Sequence, residues 1–295
     1  MDVTRIDCYC RLGEGPVWDV QAQSLFFLDI AGGMIHRYRP SDESFARWDT
    51  PNGPGAMALH QDGGAIVAMQ DTLYEMNFDT GAFKPLIVAD TQHPDAVFND
   101  GKVDRQGRFI IGSCSTRRND PERIGGIYRL GLAGDLQRVG DDIQSSNSPC
   151  FAPDGKTLYF SDSARHTIYS YEYDPATGDL GSRAIFADTS SLGGMPDGAT
   201  VDSDGLIWVA IIRGAKVVAF RPNGKIERIV ELPVGLPGSV MFGGEDLDRL
   251  FVPTIDPAYF GEPTHEGAGY LYVVDGLGSR GLPEPRFAGM TISAS

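Results

Sequence analysis

The sequence lacks several features that would place it in a membrane-bound, secreted or nucleic-acid-binding class. It contains no apolar run near the roughly 18 residues that a membrane helix needs. Its first residues, MDVTRIDCYCRLGEG, lack the apolar stretch of a secretion signal, so we expect a cytoplasmic protein without a membrane partner. The sequence contains only 25 Lys and Arg but 40 Asp and Glu, which gives a net charge of −15. Because binding to nucleic acid needs clustered positive charge, this balance argues against nucleic acid as a partner.

Cysteine and histidine are also scarce, and their spacing does not predict a zinc knuckle or a serine hydrolase. One residue separates Cys8 from Cys10, and no histidine lies close to them in sequence. We therefore predict buried, reduced thiols for the four cysteines. No G-x-S-x-G motif is present, and His36 and His166, each shortly before a strand that contains Tyr, are predicted to pack within the fold.

What the sequence does contain is an internal repeat of strand-rich units. TLYFSD is followed by TIYSYEYD, and LIWVAI is followed by KVVAFRP, with Asp, Gly and Pro turns between them. Six such units in 295 residues give a period of roughly 40 to 50 residues, which is typical of propeller blades. We predict an all-β fold, a six-bladed β-propeller with four antiparallel strands per blade, as one domain over residues 1–295. A β-sandwich is the alternative.

A propeller brings together residues that are far apart in sequence at one end of its channel. Glu14, Asn99, Asn147 and Asp197 each lie five to eight residues before an Asp/Gly turn of their own unit. Their stretches could be three ordinary turns, because Asn, Asp and Gly tolerate positive φ. The shared position within the units instead predicts that the four side chains converge.

These four residues offer oxygen donors only, which suits a hard divalent cation such as Ca²⁺ or Mg²⁺. The two carboxylates, Glu14 and Asp197, would balance the charge of one such ion. Without an ion they would repel each other, and one pKa would rise. A cation with an open position can polarise a carbonyl group or lower the pKa of a bound water. The pattern therefore favours hydrolysis of an ester, a lactone or a phosphoester.

Four segments in the same order resemble the senescence-marker-protein/gluconolactonase family, also called regucalcin-like. They are LGEGPVWD at 12–19, FNDGKVDRQGRF at 98–109, SNSPCFAPDGKTLYFSDS at 146–163 and MPDGATVDSDGLIWVA at 195–210. The resemblance covers nearly the whole chain. It implies a six-bladed propeller that holds one catalytic divalent metal and hydrolyses sugar lactones.

The resemblance also implies a role for each candidate residue. Glu14, Asn147 and Asp197 would be the metal ligands, and Asp197 would also be the general base. Asn99 would contact the substrate or a metal-bound water. The metal is left open among Ca²⁺, Zn²⁺, Mn²⁺, Mg²⁺ and Fe²⁺.

The chain departs from the family pattern at positions expected to select the substrate. Val97 stands where the family commonly has Arg, and Ser148 stands where S-N-G is usual. The segment predicted as an overhanging loop, residues 112–118, ends in Arg117 and Arg118. The expected substrate is an aldonolactone or a related acidic lactone. Because Arg binds carboxylates with paired hydrogen bonds, we predict that Arg117 contacts the substrate and that a lactone with a carboxylate or an otherwise altered polar pattern is preferred. A solvated loop is the alternative.

The sequence thus predicts a metal-dependent lactonase with a small-molecule lactone as its partner. Two alternatives remain. One is another metal-dependent ester or phosphoester hydrolase on the same propeller. The other is a calcium-binding propeller without catalysis. The oligomeric state is left open.

Overall fold

The strands form six four-stranded antiparallel sheets, the blades of a propeller. The computed structural model describes residues 1–117 and 122–290. Within five blades the strands pair in chain order, and in the sixth the outermost strand is the first strand of the chain. The predicted six-bladed β-propeller is confirmed.

The strands are numbered along the chain, and each blade is given from its innermost strand outwards. Blade 1 contains β2 (Gly13–Asp19), β3 (Ser24–Asp29), β4 (Met34–Arg39) and β5 (Ser44–Asp49). Blade 2 contains β6 (Pro54–Leu59), β7 (Ala65–Met69), β8 (Thr72–Met76) and β9 (Phe83–Val88). Blade 3 contains β10 (Ala96–Val103), β11 (Phe109–Ser115), β12 (Gly125–Leu130) and β13 (Leu136–Ile143).

The other three blades follow in the same manner. Blade 4 contains β14 (Ser146–Phe151), β15 (Thr157–Asp162), β16 (Thr167–Tyr173) and β17 (Leu180–Asp188). Blade 5 contains β18 (Met195–Val201), β19 (Ile207–Ile212), β20 (Lys216–Phe220) and β21 (Ile226–Glu231). Blade 6 contains β22 (Met241–Gly243), β23 (Arg249–Val252), β24 (Tyr270–Asp275) and β1 (Asp2–Tyr9).

Helical structure is confined to short 3₁₀ turns in the described part of the chain. These turns are Ser163–Arg165, Ser190–Leu192 and Pro257–Phe260. Over residues 1–117 and 122–290, no helix has the length and apolar character to cross a membrane.

The inner strands of each blade are buried on both faces because neighbouring blades pack face to face. All six residues of β3 and of β19 are buried, whereas β5 and β17 at the blade edges are largely exposed. Between blades 5 and 6, for example, Trp208 packs with Phe242 in an edge-to-face arrangement at 5.5 Å between ring centroids. Removal of this apolar surface from water stabilises the ring of blades.

The ring is closed by the N-terminal strand. β1 pairs antiparallel with β24, from Asp2 opposite Asp275 to Ile6 opposite Leu271. The segment after β1 then leads directly into β2, the innermost strand of blade 1. One strand near the N-terminus therefore completes the last blade and joins it to the first.

A C-terminal strap, residues 276–290, crosses the end of the channel where the innermost strands finish. Its Phe287 N–H donates to the carbonyl of Leu59, the last residue of β6, and its Ala288 N–H donates to the carbonyl of Gly107, in the turn after β10. Arg286 forms an ion pair with Asp19, the last residue of β2, at 2.5 Å. The strap therefore spans turns of several blades at one end of the channel.

Candidate active site

Four of the predicted site residues lie near the beginnings of innermost strands, at the channel end opposite the C-terminal strap. Glu14 is the second residue of β2, and Asn99 is the fourth of β10. Asn147 is the second residue of β14, and Asp197 is the third of β18. The stretches that could have been read as turns are therefore inside strands.

A β-bulge interrupts each of these strands at the level of the site. The pairing register with the second strand shifts at four equivalent places: between Glu14 and Val17, Asn99 and Gly101, Asn147 and Cys150, and Pro196 and Ala199. Three of the residues that follow a site residue have left-handed φ values, Gly15 at 53°, Asp100 at 50° and Ser148 at 61°. A bulge re-aims side chains that a regular strand would direct elsewhere.

Glu14 and Asp197 meet in the channel, where both side chains are buried. Their carboxyl groups are in hydrogen-bond contact. Burial, followed by the negative charges of Asp197 and Asp100, raises the pKa of Glu14 well above its ordinary value. Burial and the charge of Asp100 also raise the pKa of Asp197. The folded protein therefore disfavours the charged forms of these two carboxyl groups.

Asp100 is a third buried carboxylate that sequence reasoning missed. One of its oxygens accepts the Gly101 N–H at 2.8 Å, and the other accepts the Ser148 N–H at 2.9 Å. Burial raises the pKa of Asp100, and the nearby positive charge of Lys102 opposes that shift. Adjacent residues of a regular strand point to opposite faces, but the left-handed backbone at Asp100 lets it and Asn99 both contact blade 4. The Asp-Gly pair in FNDGK was the available signal.

A chain of hydrogen bonds orients the amide of Asn147. The Ser163 hydroxyl donates to the Pro196 carbonyl at 2.6 Å, so it can accept from Asn147 Nδ2, which lies 2.8 Å away. The Asn147 side-chain oxygen is thereby turned the other way, where it accepts from Asn99 Nδ2 at 3.1 Å. A carbonyl oxygen has two lone pairs, so one remains for a ligand.

Asn99 is held by the same network. Its side-chain nitrogen donates to the Ser146 carbonyl at 2.7 Å as well as to Asn147. Both amide hydrogens are therefore used within the protein. What Asn99 can offer to a bound molecule is its side-chain oxygen, an acceptor.

Arg117 lies at the same end of the propeller as the site but is directed to a neighbouring carboxylate. Its Nε donates to Asp95 at 2.7 Å, and its side chain is half-exposed. Residues 112–115, predicted as a loop, form the end of β11, where Cys114 pairs with Val97. Arg118 lies outside the described residues. A role for Arg117 in substrate binding stays a prediction.

The C-terminal strap covers the far end of the channel, below the site. A cavity of only about 10 Å³ lies between Lys102, Glu284 and the surrounding strand residues, which is room for about one water. A concavity of about 420 Å³ forms a depression at the rim of blade 4 beside Tyr173, and none of the candidate site residues lines it. A substrate would therefore reach Glu14 and Asp197 from the end opposite the strap.

The residues present fit a hard divalent cation. Glu14, Asn147 and Asp197 supply carboxylate and amide oxygens, the donors that such ions prefer. Because the pKa values of Glu14 and Asp197 are raised, the charged carboxylates are unfavourable in the metal-free fold, and a cation would stabilise them. The side-chain oxygen of Asn147, which the hydrogen bonds orient, provides a third donor that is neutral.

These raised pKa values predict a pH dependence of the metal-free protein. A carboxyl group whose pKa is raised in the folded state stabilises the fold fully below its ordinary pKa of about 4, and this contribution is lost as pH rises through the folded pKa. We expect the Tm of chelated wild type to decline from pH 4 towards neutrality more steeply than that of Glu14→Gln. Thermal melts across pH measure the difference. Glu75→Gln, which alters a buried glutamate outside the channel, should keep the wild-type slope, and parallel slopes for Glu14→Gln and wild type would contradict the assignment.

The fold and the site together define a class, the six-bladed propellers with an acidic, oxygen-lined channel. The family model for the SMP-30/Gluconolactonase/LRE-like region matches residues 12–256, and this chain belongs to that family.

Relatives with known names cover most of the chain. A 6-deoxy-6-sulfogluconolactonase from Pseudomonas putida is 35% identical over 243 residues, 82% of each chain. Pentonolactonase XacC from Haloferax volcanii is 32% identical over 302 residues, 97% of this chain and 98% of the relative. The crystal structure of a calcium-binding protein, regucalcin, from Agrobacterium tumefaciens matches with a TM-score of 0.86 at 26% identity and covers 96% of each chain.

Proposed function

We propose that this protein is a metal-dependent lactonase that opens a sugar lactone to its hydroxy acid. The observation that carries the proposal is the buried contact between Glu14 and Asp197 in the channel, at the end opposite the strap. Two relatives that are named lactonases support the reaction class.

On this proposal, Glu14, Asn147 and Asp197 hold one divalent cation, with Ca²⁺, Zn²⁺, Mn²⁺, Mg²⁺ and Fe²⁺ as the candidates. A calcium-binding protein among the structural relatives supports a cation of this kind. When bound, the cation would polarise the lactone carbonyl group and lower the pKa of an attacking water.

Asp197 is the carboxylate that we assign as general base. Asp100 is the competing candidate, but each of its oxygens already accepts a backbone N–H, from Gly101 or from Ser148. Those bonds occupy both oxygens of Asp100 and fix its orientation, which favours an electrostatic role for it. Asp197 accepts a proton from the water, and that proton is passed to the leaving ring oxygen as the ester bond breaks.

Asn99 positions the substrate in this account. With both amide hydrogens donated to Ser146 and Asn147, its side-chain oxygen accepts a hydrogen bond from a sugar hydroxyl group or from water. On this account, the attacking water reaches Asp197 from the channel end that the strap does not cover.

The substrate class is a sugar lactone that carries an acidic group. The relative named 6-deoxy-6-sulfogluconolactonase supports an anionic substituent, and Arg117 stands at the open end of the channel. The selectivity is measured as kcat/KM for an acidic lactone divided by kcat/KM for its neutral counterpart. We expect Arg117→Ala to reduce this ratio by up to about 10-fold, because one charge-assisted hydrogen bond to the substrate is lost. The effect is no larger because Asp95 already shares the charge of Arg117. Arg221→Ala, which removes a similarly exposed, ion-paired arginine at the strap end, should leave the ratio unchanged. The same ratio in wild type and Arg117→Ala would remove Arg117 from the substrate site.

One experiment tests the proposed function as a whole. Chelated protein is assayed by acid release against a panel of sugar lactones, with each of the five cations restored separately. The panel also contains phosphoesters, because the third carboxylate, Asp100, favours a phosphoester hydrolase as the second candidate. Cation-dependent opening of a lactone supports the proposal. Turnover of phosphoesters alone would favour the second candidate, and binding of cation without any turnover would favour a calcium-binding propeller.

A further inference from the structure

A second group of potential metal ligands lies outside the channel, at the seam between blades 6 and 1. Cys8 is near the end of β1, and Cys10 lies on the segment that leads into β2. Asp29 ends β3, and His36 lies in β4. Ligand atoms of Cys10, Asp29 and His36 all lie within 4.8 Å of one another, and Cys8 Sγ lies 3.6 Å from His36 Nδ1. All four residues are buried.

His36 is not satisfied by the fold itself. Its side chain is buried, with only 5% of the residue exposed. Nε2 has no hydrogen-bond partner, and Nδ1 has only the long contact to the Cys8 sulfur. Its ring stacks on Phe27 at 5.0 Å between centroids, a contact that an aromatic carbon ring would make equally well. The fold therefore gives neither ring nitrogen a normal hydrogen bond, which leaves Nδ1, the atom beside the Cys8 sulfur, available to a ligand.

Asp29 already has a structural role and would be the weakest of the four ligands. Its carboxylate accepts the N–H groups of Arg11, Leu12 and Gly32. Asp162 at the end of β15 accepts the N–H groups of Gln144 and Ser145 in the same way in blade 4. A carboxylate at this position is therefore a structural feature that blades 1 and 4 share. The comparison with blade 4 thus accounts for Asp29 but not for the two thiols and the imidazole.

We propose that Cys8, Cys10 and His36, with Asp29 as the fourth ligand, form a binding site for a thiophilic divalent cation of the zinc type. In a tetrahedral zinc site with metal–ligand bonds of about 2.0 to 2.3 Å, neighbouring ligand atoms lie about 3.5 Å apart. The distance between Cys8 Sγ and His36 Nδ1 already matches this value, and the other ligand atoms need to close by about 1 Å. Sulfur and nitrogen donors select zinc over Ca²⁺ or Mg²⁺, whereas the channel site has oxygen donors only.

The position of this seam site gives it a role in closing the ring. Cys8 and Cys10 flank the point where the chain passes from the outermost strand of blade 6 to the innermost strand of blade 1. His36 belongs to the third strand of blade 1. A cation bound by all three residues would tie the two blades together, and its binding free energy would stabilise the closed propeller.

Cobalt is the probe, because thiolate ligands give Co²⁺ a charge-transfer absorption that oxygen ligands do not produce. Metal-free, fully reduced protein is titrated with Co²⁺. We expect this absorption to saturate when one Co²⁺ is bound per seam site. Cys8→Ser and His36→Phe should reduce it strongly, whereas Cys114→Ser, a thiol away from the seam, should retain it. Absence of the absorption in wild type, or its persistence in the Cys8→Ser/Cys10→Ser double variant, would overturn the proposal.

Stability gives a second readout that a purely structural histidine would not produce. Zn²⁺ should raise the Tm of Glu14→Gln, whose channel site is altered, and it should raise the Tm of wild type more than that of His36→Phe, whose channel site is intact. Without metal, His36→Phe should be at least as stable as wild type, because the stack on Phe27 is kept and an unpaired buried nitrogen is removed. An equal rise in Tm for His36→Phe and wild type would refute the site. Because the probe and the variants differ from those of the lactonase assay, either proposal can fail alone.

Discussion

Asp197→Asn is expected to lower kcat for lactone opening by about 10³- to 10⁴-fold, the combined effect of a weakened metal site and a lost proton acceptor. The substitution keeps an oxygen and nearly the same volume, so the packing of β18 should persist. It removes the negative charge that faces Glu14. Excess cation should restore occupancy and leave most of the loss in kcat. Rates and bound metal are measured in the same samples.

Asp154→Asn is the matched control, because Asp154 also lies in a Pro-Asp-Gly sequence but is exposed in the turn before β15. It should keep wild-type activity. Asn99→Ala should retain the metal and lose about 10²-fold or less, since one oriented hydrogen bond is removed. Full rescue of Asp197→Asn by excess cation would leave Asp197 a ligand without a role as base. Wild-type activity in metal-free Asp197→Asn would rule out metal-dependent hydrolysis.

Phe287→Ala is expected to lower the free energy of unfolding by about 3 to 5 kcal/mol, the range for a large aromatic side chain removed from a core. Phe287 belongs to the C-terminal strap, yet it is fully buried among Phe98, Val103 and Phe109 between blades 2 and 3. Its backbone N–H also donates to Leu59. Denaturant unfolding measures the loss.

Phe45→Ala is the matched control for this loss. Phe45 is 44% exposed on β5 and stacks only on the face of Tyr38, so its replacement should cost about 1 kcal/mol or less. Similar losses for Phe45→Ala and Phe287→Ala would show that the strap is not part of the folded core. A large loss for Phe287→Ala alone would support the strap as the closure of the far end of the channel.

The repeat was enough to predict the propeller because each unit contains its own strand pattern and turns. The common position of Glu14, Asn147 and Asp197 within their units predicted that they would converge, since every innermost strand begins at the same end of the channel. Here the sequence period maps directly onto the geometry. Ring closure by β1 was not predictable from the repeat, because the first strand belongs to the last unit.

The features that were missed depend on backbone conformation or on contacts between blades. Asp100 joins the site because of a left-handed residue inside a bulge, and a regular alternation of side chains would have directed it away from Asn99. His36 reaches Cys8 only because the last and first blades meet at the seam. Spacing within the sequence carries no information on such a contact. The single-domain organisation and the cytoplasmic location stay predictions.

Reconstitution of the chelated wild type with Mn²⁺, which prefers the oxygen donors of the channel over thiolates, tests the central claim most directly. Lactone opening and bound metal are followed together during the titration. The account predicts that activity rises from a negligible level in proportion to bound Mn²⁺ and reaches its plateau at one equivalent, and that Glu14→Gln needs far more Mn²⁺ to reach half of its own plateau. Undiminished activity in the chelated protein, or an identical titration curve for Glu14→Gln, would contradict it.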